Sequence, residues 1–334
     1  LEEDPDFKHF VLDGQCAVLE DHLDAEPFDS PRIGKLVRQG ALSLGPRYIL
    51  PDEFLVSGEA TVRNLIHGRK IARRFGGVLD ALENDHDFRH FVLDGQAAVL
   101  EDYLDAAPDQ HERVARLVAD GRLAVGPWSI LPDEFLVSGE STVRNLIHGA
   151  RVTPGGVVQR VGYMPDSFGH LAQIPQILRL AGMDSFVFTR GMGDEAPALG
   201  WLFRWAAPDG SEVLAVNQCD GYCNAGGLGF DEIWHAHTRR ATCPDKAVKK
   251  VGELFAKMAA RPGHDPALLN NGCDHFPVQK DFGGILAALE EAYPDTEFAH
   301  VRFEDFLAAA RAHTPDAERP VHAGELLGGR DHLI

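Results

Sequence analysis

The chain has 334 residues, with 32 lysine plus arginine against 51 aspartate plus glutamate, a formal net charge of -19 and 44% hydrophobic residues. That is length and core material for one large or two ordinary domains, and it excludes a peptide or a disulfide-built miniature scaffold. The acidic field carries no Lys/Arg cluster, so nucleic acid and anionic membrane are not expected partners, and no apolar stretch approaches the roughly 18 residues of a membrane span. The sequence begins at Leu1, inside what reads as a polar helix, without a signal-peptide layout. A cytoplasmic location is the expectation, and self-association into a homo-oligomer stays open. The five cysteines (Cys16, Cys219, Cys223, Cys243 and Cys273) form an odd set with no Cys-x-x-Cys pair, which predicts reduced, mostly buried thiols.

In chain order the first feature is a repeat. Residues 1–68 recur at 82–149 with a constant offset of 81 and no gaps, and 47 of the 68 positions are identical. Solvent-type residues such as Glu20, Asp21 and Arg63 are retained as well. Solenoid repeats keep a packing pattern while their surfaces diverge, so this reads as a recent copy of one segment. Each copy predicts a strand (Phe7–Asp13; Phe88–Asp94), helices, a short strand (Ala41–Gly45; Leu123–Gly126) and an extended Leu-Pro-Asp-Glu loop. A helix then opens at Ser57 or Ser138, with Val62, Leu65 and Ile66 recurring as Val143, Leu146 and Ile147 at helical spacing.

Beyond the repeat, Val157–Met164 reads as a strand, His170–Ala181 as a helix with Leu171, Ile174, Ile177 and Leu178 on one face, and Ser185–Thr189 as another strand. Trp201, Phe203 and Trp205 alternate with period two into the turn signal Pro208-Asp209-Gly210-Ser211, which predicts a hairpin with an aromatic packing face. A helix over Lys246–Ala260, a short strand over Ala267–Asn270, a helix over Gly283–Ala292, a strand over Phe298–Phe303 and a helix over Glu304–His313 complete the pattern. Such alternation predicts an α/β barrel or a doubly wound sheet with functional groups at the C-terminal strand ends.

Two segments place chemistry there. Asp166 follows Val157–Met164 directly, with Pro165 before it; the competing reading of Asp166 is a cap on the next helix. Asn270-Asn271-Gly272-Cys273-Asp274-His275 sets a carboxylate and an imidazole beyond a second strand, a donor pair suited to zinc, although an isolated Asp-His in a loop is more often structural.

The segments Gly162–His170, Leu269–Gln279, Leu131–Asn145 and Trp205–Val213 resemble the catalytic domain of glycoside hydrolase family 38, the zinc-dependent α-mannosidases. The resemblance implies a seven-stranded parallel β/α barrel, a retaining mechanism acting on terminal α-mannosides, and one bound Zn2+. Carried over by position, it implies that Asp166 is the nucleophile and a zinc ligand, that His275 is a zinc ligand with Asp274 beside it, and that Trp128, Asp133 and Glu134 lie near the substrate. Asp220, the carboxylate of Asn217–Asn224, is nominated as general acid, with Asp231 and Glu232 as alternatives and a plain turn aspartate as the competing reading.

The chain also departs from the family. The His-x-Asp pair of the family's first strand is missing, since His22 with Asp24 and His235 with His237 both fall on predicted helices, where residues two apart face different sides. With only Asp166 and His275 left, this chain is expected to bind zinc weakly or not at all, and whether it is active stays open. The expected organisation is an extra copy over 1–81, a catalytic barrel lacking its first strand over 82–322, and the start of a linker over 323–334. An inactive carbohydrate-binding relative and another metal-dependent carbohydrate hydrolase, such as a polysaccharide deacetylase, are the alternative functions.

Overall fold

The structure is a computed structural model that describes the backbone of residues 10–12 and 42–44, and residues 77–328 apart from 234–240, 274–275, 277 and 280. The chain divides into two compact units, Leu1–Arg73 and Arg74–Ile334. In the first, β1 (Phe10–Leu12) and β2 (Leu42–Leu44) pair in parallel, Phe10 opposite Leu42.

The second unit opens with a helix over 77–84 (α1). Two short strands, β3 (Phe91–Val92) and β4 (Leu123–Ala124), pair in parallel. Between them lie helices α2 (Ala98–Ala106) and α3 (His111–Ala119). Helix α4 (Gly139–Val152) starts where the sequence placed it, with the Ser138 hydroxyl accepting from Ser141 N at 3.2 Å. Of its expected apolar face only Leu146 is buried, whereas Val143 and Ile147 are exposed.

A five-stranded sheet follows, in the order β5-β6-β8-β7-β9. Its strands are β5 (Gly162–Met164), β6 (Ser185–Phe188), β7 (Leu202–Ala206), β8 (Glu212–Asn217) and β9 (Val321–Ala323). β5, β6 and β8 are parallel, while β7 runs antiparallel to β8 as the expected hairpin. Both sheet faces are covered, so alternate side chains enter two different cores. Met164, Phe186, Phe188, Val213 and Ala215 join Trp128, Phe203 and Trp205 on one side. Tyr163, Val187, Leu214 and Val216 meet Phe303, Phe306 and Leu307 of α9 (Phe303–His313) on the other. The helices between these strands are α5 (Ile174–Leu180) and the short α6 (Ala196–Leu199). α7 (Pro244–Met258) and α8 (Phe282–Ala292) pack on each other through Val251, Leu254, Ile285 and Leu289. No described helix is long and apolar enough to cross a membrane.

The α/β class is as expected, but the described residues form two parallel pairs and a mixed five-stranded sheet instead of a closed seven-stranded parallel barrel. The expected strands at 267–270 and 298–303 make no ladder. At the first, a side chain takes the place of a neighbouring strand: Asn270 N donates to Asn224 Oδ1 at 2.7 Å, and Asn270 O accepts from Ala225 N. The segment read as a linker begins on β9 and reaches Leu326, which is fully buried.

Candidate active site

The parallel register aligns the strand ends. Met164, Phe188 and Asn217 are partners across β5, β6 and β8, so Asp166 and Arg190 each stand two residues beyond their strands on one sheet edge. Arg190 Nε donates to Asp166 Oδ1 at 2.5 Å, with both side chains roughly half exposed. The Arg190 guanidinium also lies over the Phe168 ring at 4.6 Å, so it is held from two sides. The capping reading of Asp166 is excluded, because α5 begins only at Ile174 and has no side-chain cap.

The Leu-Pro-Asp-Glu loop reaches the same edge. Asn145 of α4 holds it, with Oδ1 accepting from Ser129 N and Ile130 N and Nδ2 donating to Ile130 O at 2.6 Å. Ser167 Oγ, next to Asp166, donates to Pro132 O at 2.8 Å. Asp133 is exposed. Trp128 and Glu134, expected near the substrate, are both 0% exposed; neither side chain reaches solvent. Trp128 belongs to the core with Met164, Phe186 and Trp205, and its Nε1 has no acceptor. Glu134 Oε1 lies 2.7 Å from His170 Nδ1, and Glu134 Oε2 accepts from Leu171 N at 2.7 Å. These contacts draw residues 170 and 171 out of the helix that the sequence pattern started at His170.

Beyond β8, Thr189 Oγ1 donates to Gln218 Oε1 at 3.0 Å and Asn217 Nδ2 donates to Thr189 O at 2.7 Å, tying the β6 and β8 ends together. Asp220 sits in a left-handed turn at φ 61 before Gly221, and its Oδ2 accepts from Lys257 Nζ at 2.7 Å. That hydrogen bond raises the Lys257 ammonium above its ordinary value. Of the alternatives, Asp231 pairs with Lys246 at 2.6 Å, and Glu232 is exposed. The expectation of reduced thiols is corrected at one pair. Cys223 and Cys273, 50 residues apart in sequence, are disulfide-bonded with their Cα atoms 4.8 Å apart, while Cys219 and Cys243 are free. The bond joins the loop after β8 to the loop leading into Asp274 and His275, a proximity that exists only in three dimensions. Asp274, His275, His235, His237, His22 and Asp24 lie outside the described residues.

Sequence reasoning missed Arg190 and His170. The usable signal for Arg190 was its offset from β6, which is the same as that of Asp166 from β5.

An α/β domain with a carboxylate and a guanidinium paired at the ends of neighbouring parallel strands has polar groups where such sheets bind ligands. Residues 69–325 match the model of the glycosyl hydrolases family 38 N-terminal domain, and the chain belongs to that family. A Halalkalibacterium halodurans protein, whose name proposes it as a mannosylglycerate hydrolase, is 36% identical over 268 residues, covering 75% of this chain and 28% of that protein. A Saccharomyces cerevisiae alpha-mannosidase is 28% identical over 151 residues, covering 44% of this chain and 14% of its own. Among solved structures, an alpha-mannosidase from Enterococcus faecalis V583 aligns with a TM-score of 0.69 at 31% identity, covering 78% of this chain and 28% of that one. The chain thus spans under a third of the length of these proteins.

The family implies zinc, and the described residues do not by themselves assemble a site for it. Asp166 is engaged by Arg190, and among the described residues there is no group of three His, Cys, Asp or Glu side chains that could hold a metal ion.

Proposed function

We propose that this chain carries catalytic machinery for the hydrolysis of terminal α-mannosides with retention of configuration, Asp166 attacking the anomeric carbon. The observation that supports this most is the placement of Asp166: a half-exposed carboxylate just beyond a buried parallel strand, oriented by an ion pair with Arg190. In a retaining glycosidase one carboxylate forms a glycosyl ester and a second carboxyl group, about 5–5.5 Å away, protonates the departing oxygen. Asp220 is our assignment for the second role. Its Oδ2 is taken by Lys257, so that contact has to open before Asp220 can serve a leaving group. Asp133 is assigned to substrate contact, whereas Trp128 and Glu134 act from behind the site. Asp166 and His275 are the proposed zinc ligands.

The test is zinc content and hydrolysis of an aryl α-mannoside, measured on the protein and on its Asp166→Asn variant. Loss of at least roughly a thousandfold in kcat/KM in the variant is expected for removal of a nucleophile; hydrolysis that survives the substitution contradicts the assignment. Mannose affinity without turnover in the unaltered protein would favour a carbohydrate-binding role.

A further inference from the structure

We propose that Glu134 and His170 form a buried positioning pair that fixes the nucleophile through Arg190, an inference that rests on the assignment of Asp166 above. Both side chains are 0% exposed. A carboxyl group and an imidazole removed from water are costly unless each polar atom is matched, and here each is. His170 Nε2 lies 3.1 Å from Arg190 O, an atom that only accepts, so Nε2 carries a hydrogen. Glu134 Oε2 accepts from Leu171 N. One proton therefore remains between Glu134 Oε1 and His170 Nδ1, and the pair keeps zero net charge on whichever atom that proton resides.

The contacts of the pair give it a purpose beyond filling space. Glu134 comes from the loop after β4, His170 from the loop after β5, and the carbonyl that His170 holds belongs to Arg190, whose guanidinium grips Asp166. His170 is also fixed by its backbone, since His170 N donates to Leu326 O at 2.8 Å and Leu326 N to His170 O at 3.0 Å. Phe186 and Phe188 approach the imidazole edge-on, with ring centroids 4.9 and 5.0 Å away. Gly191, at φ 100, leaves room for this approach: a Cβ there would lie 3.0 Å from His170 Cδ2 and 3.1 Å from Leu326 O. The imidazole therefore has one place to sit, and the backbone of Arg190 is set by it.

The test compares two variants of the full chain. In Glu134→Gln the amide oxygen can face Leu171 N and the amide NH2 can face His170 Nδ1, with Nε2–H still on Arg190 O, so every contact survives. Glu134→Asp keeps the carboxylate but withdraws it by about one carbon–carbon bond, ~1.5 Å. On an aryl α-mannoside, Glu134→Gln should retain clearly more kcat than Glu134→Asp, with KM little changed. Glu134→Asp should lose about 10- to 100-fold in kcat with KM little changed, because misplacing a reacting group by an ångström costs on that order. Crystals of Glu134→Asp should show the Asp166–Arg190 contact longer than 2.5 Å. Should Glu134→Asp fail to fold, His170→Gln breaks the same link from the other side and carries the same expectations. Unchanged kcat in a folded Glu134→Asp overturns the inference, as does a Glu134→Gln variant equally impaired with its contacts intact. If the unaltered protein does not hydrolyse the mannoside, the proposed function fails, and the Asp166–Arg190 distance alone decides the positioning role.

Discussion

The strand pair of the first copy and that of the second are built alike: Phe10 faces Leu42 as Phe91 faces Leu123, both in parallel and both displaced by 81 residues. One short apolar pattern therefore makes one strand pair twice. The two copies differ in what they are joined to. The second runs on into β5 and Asp166, and it carries Trp128, a core residue shared with Met164, Phe186 and Trp205, where the first has Arg47. Local sequence specifies the pair, and residues of the second copy meet the strand end that carries Asp166, where Ser167 Oγ donates to Pro132 O.

Four experiments can break or sharpen that contrast, starting with the largest effect. Deleting residues 82–149 should abolish cooperative thermal unfolding, because it removes β3, β4, α4 and their core. Deleting residues 1–73 should leave a cooperative transition at nearly the same temperature, and a collapse in that variant would show that the first copy is part of the same fold. Trp128→Ala should lower stability in urea denaturation by about 3–5 kcal/mol, the usual cost of emptying a large aromatic site. Arg47→Ala should stay within about 0.5 kcal/mol.

The glycines give the third contrast. A Cβ on Gly149 would lie 2.3 Å from Pro127 O and 2.6 Å from Trp128 C, both backbone atoms that cannot swing aside. Gly149→Ala should therefore cost about 1–3 kcal/mol, and Gly68→Ala, the same change in the first copy, much less.

The smallest effect is in pH. Burial pushes the His90 and His300 imidazoles below their ordinary value of 6.5, and neighbouring Arg302 and Arg122 act in the same direction on His90, as His90 and Arg89 do on His300. Asp305 and the carbonyl of Gly121 oppose this at His90, and the Asp87 carbonyl opposes it at His300. The unfolded chain then binds more protons than the folded one just below pH 6.5, so this stabilisation is complete above that pH and is lost as pH falls through the lower folded values. Replacing His300 with Phe should flatten the acid side of the stability profile, and replacing His9, the first-copy counterpart of His90, should not.

How much of this was legible depended on whether a feature is local. The hairpin of β7 and β8 follows from three alternating aromatics and a Pro-Asp-Gly turn, and β6 from an apolar run between polar ends. Asp166 was found because proximity to a strand end can be read along the chain. Glu134 was placed near the substrate by its position in the family motif alone; only the approach of His170, 36 residues away, buries it. The segment at 267–270 has a strand's composition, but Asn224 takes its backbone donor, which no pattern within the segment reveals. The Cys223–Cys273 bond was missed for a similar reason, since spacing rules see pairs close in sequence and this pair closes a 50-residue interval.

The central claim is that Asp166 attacks the sugar, and mechanism-based trapping tests it most directly. A fluorinated α-mannosyl fluoride slows hydrolysis of the glycosyl ester more than its formation, so the covalent intermediate accumulates and can be mapped by peptide mass spectrometry. The account predicts one added fluoromannosyl group on the peptide containing Asp166, and none in Asp166→Asn. A label on a different carboxylate, or steady turnover of the reagent with no ester at Asp166, would contradict it.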